Sequence, residues 1–259
     1  MAYGEMGEEA LKWAAQSAFG LKPTSMPANI VITPLKIAET FPDLPAILDG
    51  IALTFKKAGN GFLVWNNSRR VLFCEGGLGA SNFADSSYVL CHCKNVKEIL
   101  FVGTAGGIGK SVESADINVP LSCVRLDKVT EVLFPAEVPA KADKNLAREI
   151  RVGIEKTVAD LGVRVHSGLH ATVPFFLAET KELLVNLQKQ GALPIDMELS
   201  VLYVMANHHG KKVAGAVRIG DLPLKGLPTW KSRSYKLQLK REVHRRISQG
   251  IVNHFFVKP

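Results

Sequence analysis

The sequence has little of what secreted, membrane-spanning or metal-binding proteins need. Its 259 residues include only four cysteines, with no CxxC pair, and this argues against a disulfide framework or a zinc site. No apolar run is long enough to span a bilayer, and the acidic N-terminus lacks the basic start and apolar core of a signal peptide. We therefore expect a cytoplasmic protein with buried free thiols, no metal, no cofactor and no membrane partner.

A glycine-rich stretch is present, but it lacks the spacing of the known phosphate loops. A P-loop ending in Gly109-Lys110-Ser111 would need glycine at position 104, where the chain has Thr104. The third glycine of the dinucleotide motif is also missing after Gly107-Ile108-Gly109. What remains is a buried strand, Glu98–Val102, followed by a predicted tight turn with Thr104 near its tip. Ligands of open α/β sheets often bind at such strand ends.

The composition is that of an ordinary globular protein, with 47% hydrophobic and 22% charged residues and no repeat or linker. Apolar strands such as Ile117–Val124 alternate with segments of helical periodicity, including Ala80–Cys93 and Lys144–Leu161. This alternation predicts an α/β protein of a single domain, in which a twisted, mostly parallel sheet carries helices on both faces. We place that domain at residues 30–259, after an N-terminal helical extension over residues 1–29.

The net charge of +8 is concentrated near the C-terminus, in the segment Lys231–Arg246. Such a segment could contact nucleic acid, but no reader motif accompanies the charge. The simpler interpretation is the solvated face of a terminal helix whose apolar positions Leu237, Val243 and Ile247 face the protein body. We therefore do not expect a nucleic-acid partner, and a basic balance also suits a small anionic substrate.

Three segments point to a known family when they are taken together. They are "FVGTAGGIG" (101–109), "ADINVP" (115–120) and "IDMELSVLYVMANHHGKKVAGAVRIGD" (195–221). In order and spacing they resemble the purine nucleoside and uridine phosphorylases, with their nucleosidase relatives. The resemblance runs from about Ile30 to the C-terminus, and it implies a nucleoside phosphorylase-like fold and a pentosyl-transferring enzyme.

The resemblance assigns the sugar site to one short segment. Glu198 matches the glutamate that bridges the ribose hydroxyls, Met197 lies beside it against the sugar, and Asp196 stands where many members have another glutamate. A carboxylate that holds vicinal hydroxyls favours the cationic sugar of the transition state. An N-terminal helix cap would explain one of the two carboxylates, but two less well.

The base site is implied by three residues from different segments. Phe175 matches the aromatic residue that stacks on the base, and Asp221 matches the aspartate of the purine-specific members. Arg233 lies about where those members carry an arginine that pairs with this aspartate. Protonation of N7 helps a purine to leave, and an aspartate can supply that proton only if its environment raises its pKa or shares the proton.

The phosphate site implied by the family combines a hydroxyl, backbone N–H groups and basic side chains. Thr104 matches the hydroxyl residue, and the backbone from Gly103 to Gly107 supplies N–H groups. Lys36 stands in place of an arginine in the family's early loop. Another basic ligand comes from a neighbouring subunit in the family, and here Lys57, or less closely Lys56, is nearest in register. The resemblance thus implies a homodimer, or a hexamer built from dimers, with shared active sites.

Position 101 departs from the family, because Phe101 replaces the arginine of phosphorolytic members and removes a planar cation suited to phosphate. The nucleosidase branch also lacks this arginine, but it has a glutamate near the first strand, where Val31–Lys36 offers none. We predict phosphorolysis of purine ribonucleosides by inorganic phosphate, giving ribose 1-phosphate and free base. The alternatives are hydrolysis by water, a uridine phosphorylase, or a catalytically weak nucleoside-binding protein.

Overall fold

A computed structural model describes residues 7–257. The first six residues of the predicted N-terminal extension and the last two of the domain therefore lie outside the described residues. The described chain forms one sheet of eleven strands. These are β1 (Asn29–Thr33), β2 (Thr54–Ala58), β3 (Gly61–Trp65), β4 (Arg70–Glu75), β5 (Glu98–Gly107), β6 (Ile117–Asn118), β7 (Cys123–Arg125), β8 (Val165–His166), β9 (Leu169–Thr172), β10 (Ala192–Asp196) and β11 (Lys212–Asp221).

The long strand β5 is the centre of the sheet. It pairs in parallel with β1 near its start and along its whole length with β11, while β10 joins it antiparallel at its end. The order β2-β3-β4-β1-β5-β10-β9-β7 continues to both sides, and β11 leads on to β6 and β8. The outer pairs β2–β3 and β3–β4 are antiparallel. The prediction of a twisted, mostly parallel sheet in an α/β protein is thereby confirmed.

Helices cover both faces of this sheet, as the alternation of elements predicts. Apolar side chains of α1, α4 and α7 pack in one buried cluster, and those of α3, α5 and α9 pack in another. Each helix has an apolar stripe that it must bury against the sheet. The helices are α1 (Glu8–Phe19), α2 (Ile37–Thr40), α3 (Leu44–Asp49), α4 (Ala80–His92), α5 (Lys144–Val158), α6 (Lys181–Lys189), α7 (Leu199–His208), α8 (Thr229–Ser232) and α9 (Leu237–Phe256).

The glycine-rich segment is strand and not the tight turn that the sequence suggests. Residues Gly103–Gly107 complete β5, because β11 pairs with them on one side and β10 on the other. The glycines are needed for close packing: a Cβ on Gly103 would lie 2.7 Å from the Phe101 ring, and one on Gly107 would lie 2.8 Å from Ile219. The prediction of a turn at Thr104 was wrong, because the sequence shows the glycines but not the strands and side chains that pack against them.

Two other elements differ from the sequence-based expectation. The predicted strand Ile117–Val124 is divided into β6 and β7, because Pro120 lies between them and has no N–H to donate to a ladder. In α9, Val243 and Ile247 are fully buried as expected, but Leu237 keeps 41% of its surface exposed. Leu237 lies at the first turn of the helix, beside the cavity described below.

Candidate active site

The ends of β5, β10 and β11 meet at a cavity of about 600 Å³. The helix α9 and the segment after β1 form its other walls. Open α/β sheets bind their ligands at such strand ends, because the loops there leave a crevice. Polar side chains from separate elements therefore reach one space, among them Thr104, Asp196, Glu198, Arg218, Asp221 and Lys240.

The Asp196 side chain has a structural role at the start of α7. Its Oδ2 accepts a hydrogen bond from the backbone N–H of Leu199 at 3.0 Å, which caps the start of α7. Its Oδ1 accepts one from the Thr172 hydroxyl at 2.7 Å, and His170 Nε2 lies 3.0 Å from the same oxygen. With its carboxylate held on both sides and 4% of its surface exposed, Asp196 fixes the point at which β10 ends and α7 begins.

Glu198 is held differently: it is the N-cap residue of α7, but its side chain makes no capping hydrogen bond. Its Oε1 accepts a hydrogen bond from the backbone N–H of Gly79 at 2.7 Å, and its Oε2 accepts one from the N–H of Met197 at 3.3 Å. The side chain lies at the cavity although only 2% of the residue is exposed. Burial, and then the charge of Asp196, raise the pKa of Glu198. A carboxylate so poorly solvated interacts strongly with hydroxyls or with positive charge brought beside it.

Asp221 reaches the cavity through a bulge at the end of β11. Arg218 pairs with Thr104 and Ile219 with Ala105, but Asp221 pairs with Gly106, so Gly220 is an extra residue. Paired residues share a face of the sheet, and the bulge therefore places Arg218 and Asp221 on the same face. A Cβ on Gly106 would stand 3.3 Å from Asp221 Oδ1, so glycine there leaves room for the carboxylate.

The environment of Asp221 suits a proton donor. Burial raises the pKa of its carboxyl group, which brings it closer to the range in which an acid can protonate a leaving base. Its Oδ2 accepts a hydrogen bond from the Thr229 hydroxyl at 3.0 Å. Arg233, which the resemblance pairs with this aspartate, is exposed and lines the same cavity. The observed donor to Asp221 is therefore Thr229.

The aromatic residue at the cavity is Phe176. The predicted base-stacking residue, Phe175, is 58% exposed and does not line the cavity, whereas Phe176 does. Phe175 is extended and Phe176 opens a short turn, so the two rings leave the chain in different directions. Sequence alone offered no means of choosing between two adjacent phenylalanines. Met197 lines the cavity as expected.

The predicted phosphate ligands are not all brought together. Thr104 lines the cavity, but Lys36 does not, and its Nζ pairs with Glu75 Oε2 at 3.0 Å while 72% of its side chain is exposed. Lys57 is exposed on β2, separated from β5 by three strands, and does not line the cavity of its own chain. Gly103 is buried and likewise does not line the cavity.

The side chain at position 101 belongs to the core. Phe101 is 1% exposed and packs edge-to-face on Phe83 with 5.5 Å between ring centroids. A Cβ on Gly103 would meet this ring at 2.7 Å and Pro34 at 3.6 Å, so the ring fills the space between β5 and the segment after β1. The position at which the resemblance leads us to expect an arginine is therefore filled by a buried aromatic ring.

Several titratable cavity residues were not identified from the sequence, and four of them are basic. Arg218, Lys240, Arg241 and His244 line the wall made by β11 and α9. Arginine within the apolar strand "VAGAVRIGD" was the available signal, because a charge is rarely buried without a reason. Glu179 also lines the cavity, and burial, followed by the charges of Asp221 and Asp196, raises its pKa to about 7.

Residues 7–257 contain neither a candidate metal site nor a candidate membrane-spanning helix. Within that range no three His, Cys, Asp or Glu side chains are grouped so that they could hold a metal ion. Over the same residues, no helix combines the length and the apolar character that crossing a membrane requires. The cysteines Cys74, Cys91 and Cys93 are buried and free, and Cys123 is half-buried and free.

Comparison with known proteins places these features in a family. The family described as the phosphorylase superfamily matches residues 33–248. A DeoD-type purine nucleoside phosphorylase of Bacillus cytotoxicus is 24% identical over 163 residues, which cover 62% of this chain and 67% of that protein. The DeoD-type enzyme of Bacillus cereus is 25% identical over the same length.

Solved structures share the fold at lower identity. The purine nucleoside phosphorylase of Toxoplasma gondii in complex with immucillin-H has a TM-score of 0.69 and 17% identity, with 89% of this chain and 92% of that chain covered. Uridine phosphorylase of Vibrio fischeri has a TM-score of 0.70 and 15% identity, with coverage of 91% and 95%. AMP nucleosidase of Bacteroides thetaiotaomicron has a TM-score of 0.68 and 15% identity, with 95% of this chain and 96% of that chain covered.

Proposed function

Because this chain belongs to the phosphorylase superfamily, whose nucleoside phosphorylases are pentosyltransferases, we propose that it cleaves the N-glycosidic bond of purine ribonucleosides. In the proposed reaction a phosphate oxygen bonds to C1′ of the ribose while the bond from C1′ to the base breaks. The electron pair of that bond goes to the base, which takes up a proton, and ribose 1-phosphate and free base are released. The observation that carries the proposal is the presence of Glu198 and Asp221 at one cavity.

Glu198 acts on the sugar. Its carboxylate is fixed by the Gly79 N–H and lies at the cavity with almost no exposure to bulk water. It can accept hydrogen bonds from two vicinal ribose hydroxyls and stabilise positive charge as the bond to the base breaks. Since it is already ordered and desolvated, this stabilisation needs no reorganisation during the reaction.

Asp221 acts on the base. Burial raises its pKa, which favours sharing of a proton between its carboxyl group and a purine nitrogen as negative charge arrives there. Phe176 and Met197 supply apolar surface at the same cavity, against which a flat ring can pack at little entropic cost. An acid at this position favours a purine over uridine, because uracil has no N7 to protonate.

Phosphate is the proposed nucleophile, with the Thr104 hydroxyl as one of its contacts. Lys57 does not line the cavity of its own chain, and it can serve as a ligand only in another subunit. The proposal therefore includes a homo-oligomer, a dimer or a hexamer of dimers, with shared sites.

Hydrolysis is the second candidate, and the burial of Phe101 favours it. Because that ring occupies the place of the family's phosphate-binding arginine, water could replace phosphate as nucleophile. The structural similarity to an AMP nucleosidase agrees with this alternative.

The test compares substrates and nucleophiles in one experiment. Inosine, adenosine and uridine are each incubated with the protein in phosphate-free buffer and across a phosphate series, and the sugar product is identified. We expect purine nucleosides to be cleaved to ribose 1-phosphate, with a rate that rises with phosphate and is near zero without it. Free ribose formed equally fast without phosphate would establish hydrolysis, and cleavage of uridine alone would refute the assignment to purines.

A further inference from the structure

We propose that this protein binds a phosphate group through Arg218 and Lys240, on the face of the sheet covered by α9, and not at the position of Phe101. The inference rests on the proposed function, since it names the site for the anion at the same cavity. It depends on four observations: the placement of Arg218, its partner His244, the unpaired charge of the two cations, and the presence of Thr104 beside them.

Arg218 stands directly beside the hydroxyl already assigned to phosphate. Arg218 and Thr104 are partners in the parallel pairing of β11 with β5, so both side chains leave the same face of the sheet. Both line the cavity, and Arg218 is 9% exposed. A guanidinium in this place restores the planar, permanently charged fork that position 101 lacks.

A hydrogen bond to a histidine of α9 fixes the orientation of the Arg218 side chain. Arg218 Nε donates to His244 Nε2 at 2.9 Å, and Nη1 donates to the carbonyl of Ile219 at 3.1 Å. His244 Nδ1 lies 3.0 Å from the carbonyl oxygen of Glu39, so Nδ1 carries the ring proton and Nε2 accepts. Burial, and then the charge of Arg218, lower the pKa of His244 to about 3, which keeps the ring neutral and able to accept.

This arrangement leaves hydrogen-bonding capacity on the guanidinium. A guanidinium has five N–H donors, and within residues 7–257 the Nη2 group of Arg218 has no hydrogen-bond partner. Buried polar groups are almost always paired. An Nη2 group left free on a residue that lines a cavity is therefore available to a ligand oxygen.

Lys240 adds a second positive charge to the same wall. It is 6% exposed, and its Nζ donates to the carbonyl of Ser232 at 2.8 Å, which leaves donors for a ligand. Burial, and then the charge of Arg218, lower the pKa of Lys240 to about 8. The two buried cations thus destabilise each other, and an anion between them would offset that repulsion.

In the described part of the chain no side chain forms an ion pair with either cation. Over residues 7–257 neither Arg218 nor Lys240 has a carboxylate oxygen within 4.0 Å of its nitrogens. Asp221 is the acidic group that acts on both through space, but its hydrogen bond comes from Thr229. Buried charges are usually paired, so two cations without an ion-pair partner at a cavity are explained best by a ligand that brings negative charge.

The ligand is a phosphate group, and two sources could supply it. Inorganic phosphate would be the nucleophile of the proposed reaction, whereas the 5′-phosphate of a purine nucleotide would be part of the substrate. Both present a tetrahedral dianion whose oxygens match a guanidinium and an ammonium. The experiment separates the two sources by the probes that it uses.

The test measures binding, so it needs no turnover. Inorganic phosphate, adenosine 5′-monophosphate and adenosine are titrated by calorimetry into the wild type, Arg218→Gln, Arg218→Lys, Lys240→Gln and the control Arg151→Gln. Arg151 lies on the surface of α5 in an ion pair with Glu155 and does not line the cavity. Circular dichroism establishes that each variant is folded, and if Arg218→Gln does not fold, Arg218→Lys and Lys240→Gln decide the result.

We expect Arg218→Gln to raise the dissociation constant of the phosphate-bearing ligand about ten- to a hundredfold, with a smaller rise for Lys240→Gln and partial recovery in Arg218→Lys. Adenosine binding should change less than about twofold in every variant, and Arg151→Gln should match the wild type. A loss confined to inorganic phosphate identifies free phosphate as the source, and a loss confined to the nucleotide identifies the substrate's own phosphate.

Two results would overturn the proposal. One is a set of folded Arg218 and Lys240 variants that bind inorganic phosphate and the nucleotide as the wild type does. The other is a wild type that gives no heat with inorganic phosphate and binds the nucleotide no more tightly than adenosine. If binding depends on Arg218 but no purine nucleoside is cleaved, the proposed function fails while the phosphate site stands, so the two failures are distinguishable.

Discussion

The two walls of the cavity are built in opposite ways. The acidic wall comes from one short stretch, Asp196–Glu198, where the backbone N–H groups of Leu199 and Gly79 hold the two carboxylates. The basic wall joins a strand to a distant helix, because Arg218 lies on β11 and Lys240 on α9. The residues of the acidic wall are neighbours in the chain, although Gly79 and Thr172 from other segments hold their carboxylates. The residues of the basic wall come together only after the sheet and the terminal helix have packed.

The difference shows how each kind of charge is made available. The carboxylates are supported by backbone donors, and both are almost completely buried. The cations are supported by neutral partners, a histidine ring and a backbone carbonyl, which leaves their positive charge without direct compensation. One wall is therefore prepared for a cationic sugar and the other for an anion. The following experiments separate the two contributions.

The largest effect is expected from the acidic wall. Glu198→Gln cannot become negatively charged as the sugar becomes cationic, but it keeps an oxygen that can accept from the Gly79 N–H, so turnover should fall on the order of a hundred- to a thousandfold while the protein stays folded. Burial raises the pKa of Glu198, so the neutral amide avoids the cost of a buried charge, but it also loses the acceptor for the Met197 N–H. These two effects oppose each other, and stability at neutral pH should change little. Steady-state rates with inosine and a thermal melt measure both, and the control is Glu155→Gln at a half-buried residue of α5 that does not line the cavity. A fully active variant would show that this carboxylate does not act on the sugar.

The second effect concerns proton donation to the base. Asp221→Asn keeps the shape of the side chain and can still bond the Thr229 hydroxyl, but it has no acidic proton. We expect turnover of purine nucleosides to fall at least about tenfold, since general acid catalysis commonly contributes more than this. The matched control is Asp160→Asn at a side chain that is 64% exposed. An unchanged rate with both inosine and adenosine would remove Asp221 from the chemistry.

A smaller effect, on stability, follows from Glu179 at the edge of the acidic wall. Its pKa is raised to about 7 in the folded protein. Between about pH 4.5 and pH 7 the folded state therefore binds more protons at Glu179 than the unfolded state does. As a consequence, the contribution of Glu179 to the stability of the wild type falls as pH rises. Glu179→Gln does not titrate and escapes this loss. Between pH 5 and pH 8 the free energy of unfolding of Glu179→Gln should therefore rise relative to that of the wild type. After a discount for partial exposure, we expect a relative gain of about 1 kcal/mol, or about 2–4 °C in Tm.

Thermal melts of the two proteins at pH 5 and pH 8 measure this difference, and the exposed Glu182→Gln on α6 serves as the control. A Tm difference between Glu179→Gln and the wild type that stays constant across the two pH values would mean that Glu179 ionises as an ordinary surface glutamate does.

The smallest effect is expected at Lys36, and it sharpens the contrast with the basic wall. Lys36 is 72% exposed and paired with Glu75, and a surface pair of this kind contributes about 0–1 kcal/mol. Lys36→Gln should therefore change the phosphate concentration needed for half-maximal rate by no more than about twofold, far less than Arg218→Gln. A tenfold rise for Lys36→Gln would instead return the phosphate site to the segment after β1.

Sequence was a good guide where the candidate residues are neighbours in the chain. The stretch Asp196–Glu198 and the strand ending in Asp221 could be read directly, and the structure brings all of them to one cavity. Sequence was a poor guide where adjacent residues diverge, as at Phe175 and Phe176, because side-chain direction depends on a backbone turn that propensity does not specify. Sequence also does not show that Lys36 pairs with Glu75, which lies at the end of β4.

The sequence by itself determined the alternation of strands and helices, the family, and the residues of the acidic wall, since all three depend on short-range patterns and on spacing along the chain. Only the tertiary structure decided that Gly103–Gly107 is strand, that a bulge turns Asp221 towards Arg218, and that Arg218 and Lys240 meet beside Thr104. The physical reason is that these features depend on the register between strands and on packing between distant segments. A contact of that kind is fixed by the whole set of neighbours that bury it, and not by the residues on either side of it in the chain.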